Sequence, residues 1–343
     1  MRSGSTGSAQ TLFRLDSPFR LLLAGVSVFV LSYLAARLGG LLVLRPQMIW
    51  PLWPGCAFLV AVLLLAEHKT LWPILLAAGL GGFVLYDLNA GLSNRSIALF
   101  LLADSIEILV ASLGVSLAFG GMPRLNSVKS LATYSLFAVI LAPITVASIA
   151  ANATGGTSWL IWRVSFLTEA LALLTITPAV MSWAGVAITG LERPRLYYFE
   201  AAGMLFGLLT LSYFAFVAGG EGSRPALLYS LVPFLLWGAL RFGVTGVSTS
   251  MIVVGFFSIW GTIHGRGPFL GGTPVGNVLS LQLFLLFAIA SFMLLAVTAE
   301  EQKQAQERSQ ESEKRFRLVA DTAPVLIWMS GQTSSVTTSI SHG

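Results

Sequence analysis

The sequence predicts an all-α integral membrane protein, a polytopic helical bundle of eight to ten transmembrane helices. Three observations carry this expectation. Only 10% of the 343 residues are charged and 55% are hydrophobic, whereas a soluble domain carries about a quarter charged residues. Mean hydropathy over the chain is +0.81. The apolar residues fall into runs long enough to cross a ~30 Å hydrocarbon core as helices.

Residues 1–18 are Ser/Gly-rich with scattered Arg and read as a disordered cytoplasmic tail. A membrane domain follows over 19–299, with apolar runs at approximately 19–44, 48–66, 71–90, 96–119, 128–150, 159–183, 197–218, 226–240, 243–264 and 276–298. The second and eighth are short, and either as a half-span or as one arm of a helical hairpin lowers the count to eight. The first run continues to Leu44 without a cleavage site, so it is an uncleaved span rather than a signal peptide. Trp50-Pro51, Trp53-Pro54 and Trp72-Pro73 suit a headgroup-level Trp with Pro in the first helical turn. Ala142-Pro143 and Thr177-Pro178 lie deeper and are expected to kink their helices. Gly203 and Gly207 form a small-xxx-small pair, a weak mark of a homodimer. The single cysteine, Cys56, excludes an internal disulfide and reads as a small packing residue. Residues 300–317 are almost wholly polar with no helix breaker. A helix polar all round connects domains, so this stretch reads as a cytoplasmic signalling helix continuing the last span. The Ser/Thr-rich end of the chain looks disordered.

The basic residues orient the chain. With the amino terminus inside, nine of them (Arg2, Arg14, Arg20, Lys69, Arg124, Lys129, Arg193, Arg195, Arg241) fall on the cytoplasmic side before the last span and five after it. Four (Arg45, Arg95, Arg224, Arg266) fall outside, and Arg37 and Arg163 lie within spans. A split of 14 to 4 places both termini in the cytoplasm. The formal net charge of +5 is therefore a matter of membrane orientation, dispersed between helices, and no nucleic-acid partner is expected.

Phosphate loops, dinucleotide fingerprints, zinc spacings and nucleophile elbows are absent from the sequence, so no catalytic residue, cofactor or metal site is expected. His68, His264 and His342 are too scattered to build one. His264 and Arg266, in a turn-rich outer loop, are weak candidates for ligand contact, with an ordinary loop the simpler reading. The ionisable residues inside the spans are the better constellation. Glu169 falls about 15 Å into its helix, near mid-membrane, and Arg163 only about 6 Å in. Asp104 and Glu107 lie about 12 and 16 Å deep and, three residues apart, share a face. Arg37 lies about 10 Å from the outer end and Asp87 close to it. Intramembrane charge is costly and marks function by default, and two close carboxylates do not both ionise easily in low dielectric. Asp104, Glu107 and Glu169, with Arg163 and Arg37 at the mouth, are thus a candidate site for a proton, a cation or a small ligand. A structural charge network is the alternative.

With these residues in place, the chain resembles the bacterial MASE family, first type, of multi-pass membrane-associated sensor domains. The likeness rests on Trp53-Pro54-Gly55, Trp72-Pro73, Thr177-Pro178, Leu240-Arg241-Phe242-Gly243 and Gly265-Arg266-Gly267-Pro268-Phe269, in order over about residues 20–300. The family's usual Trp-Pro-Pro-x-Gly is altered here to Trp53-Pro54-Gly55-Cys56-Ala57. A second likeness, from Glu313-Lys314-Arg315-Phe316-Arg317-Leu318 to Ser330, is to the opening of a PAS domain of sensor histidine kinases, so 318–343 reads as a truncated PAS-like start and tail. The resemblance implies a sensory input domain in the bacterial inner membrane. It would pass a signal through its last helix to a cytoplasmic kinase or cyclic-di-GMP cyclase module, with no enzyme activity of its own. A proton- or cation-coupled small transporter or channel is the rival reading, using the same acids as a relay. Internal repeats would favour transport; the PAS-like extension favours sensing.

The orientation is testable. Reporters fused at Gly343 and within the Gly219–Ser223 loop should report opposite sides of the membrane; the same side for both would overturn the topology.

Overall fold

A computed structural model describes residues 18–45, 48–66, 68–121, 123–153, 159–189, 194–218 and 225–322. The tail expected before Pro18 and the PAS-like sequence beyond Thr322 lie outside the described residues. The helices are α1 (Pro18–Leu41), α2 (Pro54–Leu65), α3 (Trp72–Asn89), α4 (Asn94–Phe119), α5 (Val128–Tyr134), α6 (Ala142–Ala153), α7 (Trp159–Thr189), α8 (Arg195–Phe216), α9 (Val232–Ile263) and α10 (Pro274–Thr322). Eight helical segments among them are long and apolar enough to cross a membrane. The protein is an all-α multi-pass membrane bundle.

α1 and α3 run in parallel: Leu22 and Gly25 lie with Ile74 and Ala78 at one end, and Gly40 lies against Tyr86 at the other. Parallel neighbours require the chain to return between them. α2 makes that return, yet its 12 residues extend only about 18 Å. The remaining depth is covered without helix. Leu44 and Ile49 exchange backbone hydrogen bonds of 2.8 and 3.2 Å, and Trp50–Trp53 then descend into the bundle. Exposed carbonyls at that depth are tolerated only where protein satisfies them. The Thr168 hydroxyl of α7 lies 2.6 Å from the Trp50 carbonyl. Gln282 of α10 donates from Nε2 to the Pro51 carbonyl at 3.1 Å and to Thr168 Oγ1 at 2.9 Å. One turn into α2, the Thr177 hydroxyl donates to the Ala57 carbonyl at 2.7 Å.

The first two Trp-Pro pairs are therefore not surface anchors. Pro51 and Pro54 are buried, and the Trp53 ring meets Phe83 and Tyr86 with centroids 6.3 and 6.0 Å apart. They shape a non-helical descent, with Pro54 in the first turn of the helix it opens. Trp72-Pro73 opens α3, its buried indole under the Lys69 ammonium at 5.8 Å.

α9 resolves the two runs 226–240 and 243–264 into one folded-back hairpin. Gly243 adopts φ 62° and ψ −146° inside it, a conformation open to glycine at little cost. In a straight helix Gly238 and Gly246 would stand about 12 Å apart. Here a methyl group on Gly246 would fall 2.3 Å from the Gly238 carbonyl oxygen, so the arms pack back to back. The first arm runs against α8, with Phe234 on Gly207 and Arg241 bonded to Glu200 at 2.6 Å. The second returns until Gly261 meets the Phe216 carbonyl. Gly207 thus spends its missing side chain on α9, and only Gly203 of the expected dimer pair faces open space.

α7 is the most enclosed of the described spans. Pro178 gives no N–H to its own preceding turn, and in that region the Tyr134 hydroxyl donates to the Leu173 carbonyl at 2.6 Å. The distortion expected at Ala142-Pro143 takes the form of a π-helical stretch, Ser135–Leu141, just before it. In α10 the buried Val278, Leu281, Gln282, Leu285, Ile289 and Met293 recur at helical spacing. The chain divides into two units after Ala299. The second, as far as Leu318, presents exposed side chains with Glu311–Arg315 and Glu313–Arg317 pairs four residues apart.

Gln282→Leu leaves the Pro51 carbonyl without its donor, at a cost of about 1–3 kcal/mol. The melting temperature of the purified protein in detergent should fall accordingly. An unchanged value would mean that the descent is held by other bonds.

Candidate functional site

Because Trp50–Trp53 reach the interior before turning helical, α2 begins inside the bundle. Its first amides have no intrahelical partner, the preceding Trp53 supplies no side-chain cap, and the helix end carries partial positive charge. Cys56 sits in this first turn, fully buried. α4 brings Asp104 and Glu107 to the same place, and α7 brings Glu169. The Cys56 thiol sulfur, a Glu107 carboxylate oxygen and a Glu169 carboxylate oxygen all lie within 4.8 Å of one another. Cys56 and Glu107 are 0% exposed and Glu169 is 7% exposed. Asp104, the least enclosed of the four, is half-buried and faces the same thiol.

Among the described residues, neither carboxylate oxygen of Glu107 has a hydrogen-bond partner, and Glu169 Oε2 has none either. Buried polar groups are ordinarily paired, and an isolated buried carboxylate is among the costliest groups a protein can hold. No basic side chain offsets the cluster: the ion pairs among the described residues are Arg241–Glu200 and the two along α10. Four ligand-capable groups from three helices thus converge on a helix N-terminus, and three of their carboxylate oxygens have no hydrogen-bond partner among the described residues. Such an arrangement suits a proton, a cation or a small cationic group.

The three acids singled out in the sequence are brought together; the two arginines are not. Arg163 is exposed on α7, its guanidinium 5.7 Å from the Trp159 ring centroid, an aromatic face that attracts cations. Six helical residues turn it about 120° away from Glu169. Arg37 is exposed on α1 and forms no ion pair with the acids. Asp87, expected close to the outer end of its span, lies at the end of α3 and is buried there.

His264 and Arg266 end α9. Gly265 turns to φ +69°, and the Arg266 N–H donates to the Gly261 carbonyl at 2.8 Å. This is a glycine-terminated helix end. The His264 ring packs on Trp260 at 4.3 Å and bonds through Nδ1 to the Trp260 carbonyl at 2.8 Å. Phe269 then lodges against Phe216 and Phe284. These contacts account for the loop as a structural cap.

Cys56, Thr168 and Gln282 are the residues that sequence reasoning missed. The short second span was the available signal, since it implied a helix starting at depth, and Cys56 lies three residues after Trp53. Gln282 is likewise a lone amide within an apolar run, a pattern that calls for a partner in lipid.

Glu107→Met keeps the side-chain length and removes a carboxylate that makes no hydrogen bond. It should leave the melting temperature unchanged or raise it, as sites held in tension for function commonly do. A fall of several degrees would mean that the carboxylate serves the packing.

The profile of the MASE1 family, a membrane-associated sensor domain, matches residues 24–303. No curated protein matches the chain, and no solved structure does.

Proposed function

Because the chain belongs to the MASE1 family of membrane-associated sensor domains, we propose that it is a sensory input domain that receives its signal at the Cys56–Asp104–Glu107–Glu169 cluster. The observation that carries this reading is the convergence of buried, unbonded carboxylate oxygens on the start of α2. Sites that must respond to a ligand or proton keep such groups at a cost in stability. The signal leaves through α10. Gln282 bonds Thr168, the chain neighbour of Glu169, so a shift at the cluster bears directly on the helix that continues to Thr322. The receiver is a cytoplasmic PAS-linked histidine kinase or cyclic-di-GMP enzyme module, and the domain itself performs no catalysis.

The same reading sets the protein in a bacterial inner membrane with the Pro18 end of the bundle in the cytoplasm. Arg20, Lys69, Arg124, Lys129, Arg195 and Arg241 occupy helix starts and turns at that end, against Arg45, Arg95 and Arg266 at the other. This asymmetry is the one that fixes membrane orientation.

Glu169→Gln keeps shape and hydrogen-bonding capacity while removing charge. Fused to a kinase reporter module, this variant should fold and insert normally yet give no response. A normal response would remove Glu169 from the site. Inserting one residue between Glu300 and Arg317 turns the helix by about 100°, and inserting four by about 400°, nearly a full turn. The first should disrupt regulation and the second largely preserve it; equal effects would exclude a helical output.

A further inference from the structure

The cluster at the start of α2 contains a thiol, which a site for protons alone does not require. We propose that Cys56, Glu107 and Glu169, with Asp104 beside them, form a binding site for a divalent transition-metal ion of the zinc type. This names the ligand class of the sensory site and rests on that reading for its physiological role, though not for the binding itself.

The geometry is close to what a metal requires. Three ligand atoms within 4.8 Å of one another share a central point no more than about 2.8 Å from each. Zinc takes thiolate at about 2.3 Å and carboxylate at about 2.0–2.2 Å, so an inward movement of roughly half an ångström by flexible side chains completes the contacts. Asp104 stands beside the Cys56 thiol as its hydrogen-bond partner, outside the set of three ligand atoms. The donor types select among metals. Magnesium and calcium take oxygen ligands, whereas a thiolate with carboxylates suits zinc and its borderline neighbours.

Charge agrees with a cation. Two carboxylates and a thiolate sum to about three negative charges, which a divalent ion largely offsets while binding releases the thiol proton. The N-terminal end of α2 favours the anionic form of the ligands, not the cation itself.

Cys56 is the only cysteine in the chain, so any thiolate-to-cobalt charge-transfer absorption reports this site alone. The full chain, purified in detergent and stripped of metal, should bind one Co²⁺ per chain with such a band, and Zn²⁺ should displace it while Mg²⁺ and Ca²⁺ do not. Cys56→Ser should abolish the band, and Glu107→Gln and Glu169→Gln should weaken Zn²⁺ binding by more than about tenfold. Should the serine variant fail to fold, the glutamine variants, which keep the thiol, carry the test through their affinities. No band in folded wild-type protein, a band surviving Cys56→Ser, or displacement by Mg²⁺ would overturn the proposal. Signalling measured in parallel separates the two readings. A Co²⁺ band with signalling unaffected by Glu169→Gln supports the metal site and removes the sensory role. A silent Glu169→Gln variant with no band in wild type overturns the metal site and keeps the sensory role.

Discussion

The carbonyls of Trp50 and Pro51 lie where the bilayer offers no water, and the bundle is arranged around satisfying them. Thr168 of α7 and Gln282 of α10 do so. Because these bonds exist, the chain can enter the bundle without helix before α2 begins. α1 and α3 can then lie parallel with only a 12-residue helix between them. A continuous α2 would bury its amide ends at the surface like any other span. The interrupted one delivers a helix N-terminus, and with it Cys56, into the interior. The site is thus a by-product of how a backbone problem in lipid is solved.

The second irregularity, the reversal at Gly243, works differently. No side chain rescues it; glycine makes the turn, and the absence of side chains at Gly238 and Gly246 lets the arms touch. The hairpin packs against α8 and also against α7, where the Trp183 indole donates to the Thr249 hydroxyl at 3.0 Å, while α7 packs in addition on α2 and α6. α7 bonds the descent through Thr168 and the start of α2 through Thr177, while Arg163 and the stacked Trp159, Trp162 and Phe166 rings line its first turns.

The membrane fold was legible in the sequence because lipid leaves few options: long apolar runs must be helices, and scarce charge must be internal or terminal. Asp104, Glu107 and Glu169 were legible for the same reason, since a carboxylate at that depth demands an explanation. Arg163 and Arg37 misled because long cationic side chains can leave a helix sideways, and their Cα depth says little about where the charge ends up. Trp50-Pro51 and Trp53-Pro54 misled because the same residue pair serves at a surface and in a buried turn. Cys56 was invisible, since a lone thiol in an apolar run looks like packing until its neighbours from α4 and α7 are known. What the sequence could not carry was the meeting of segments far apart in the chain.

That distance has a consequence for biosynthesis. The bond from Thr168 to Trp50 spans 118 residues, and the bond from Gln282 to Pro51 spans 231. At ordinary translation speeds of about 5–20 residues per second, the donor for Pro51 emerges on the order of tens of seconds after its acceptor. Until then the descent has no dry place to sit, and its carbonyls must keep water or the translocation machinery as company. The second helix is therefore made early and seated late. The ordering of the bundle around it waits on α10, so a nascent chain halted before α10 would hold its first spans in an open arrangement.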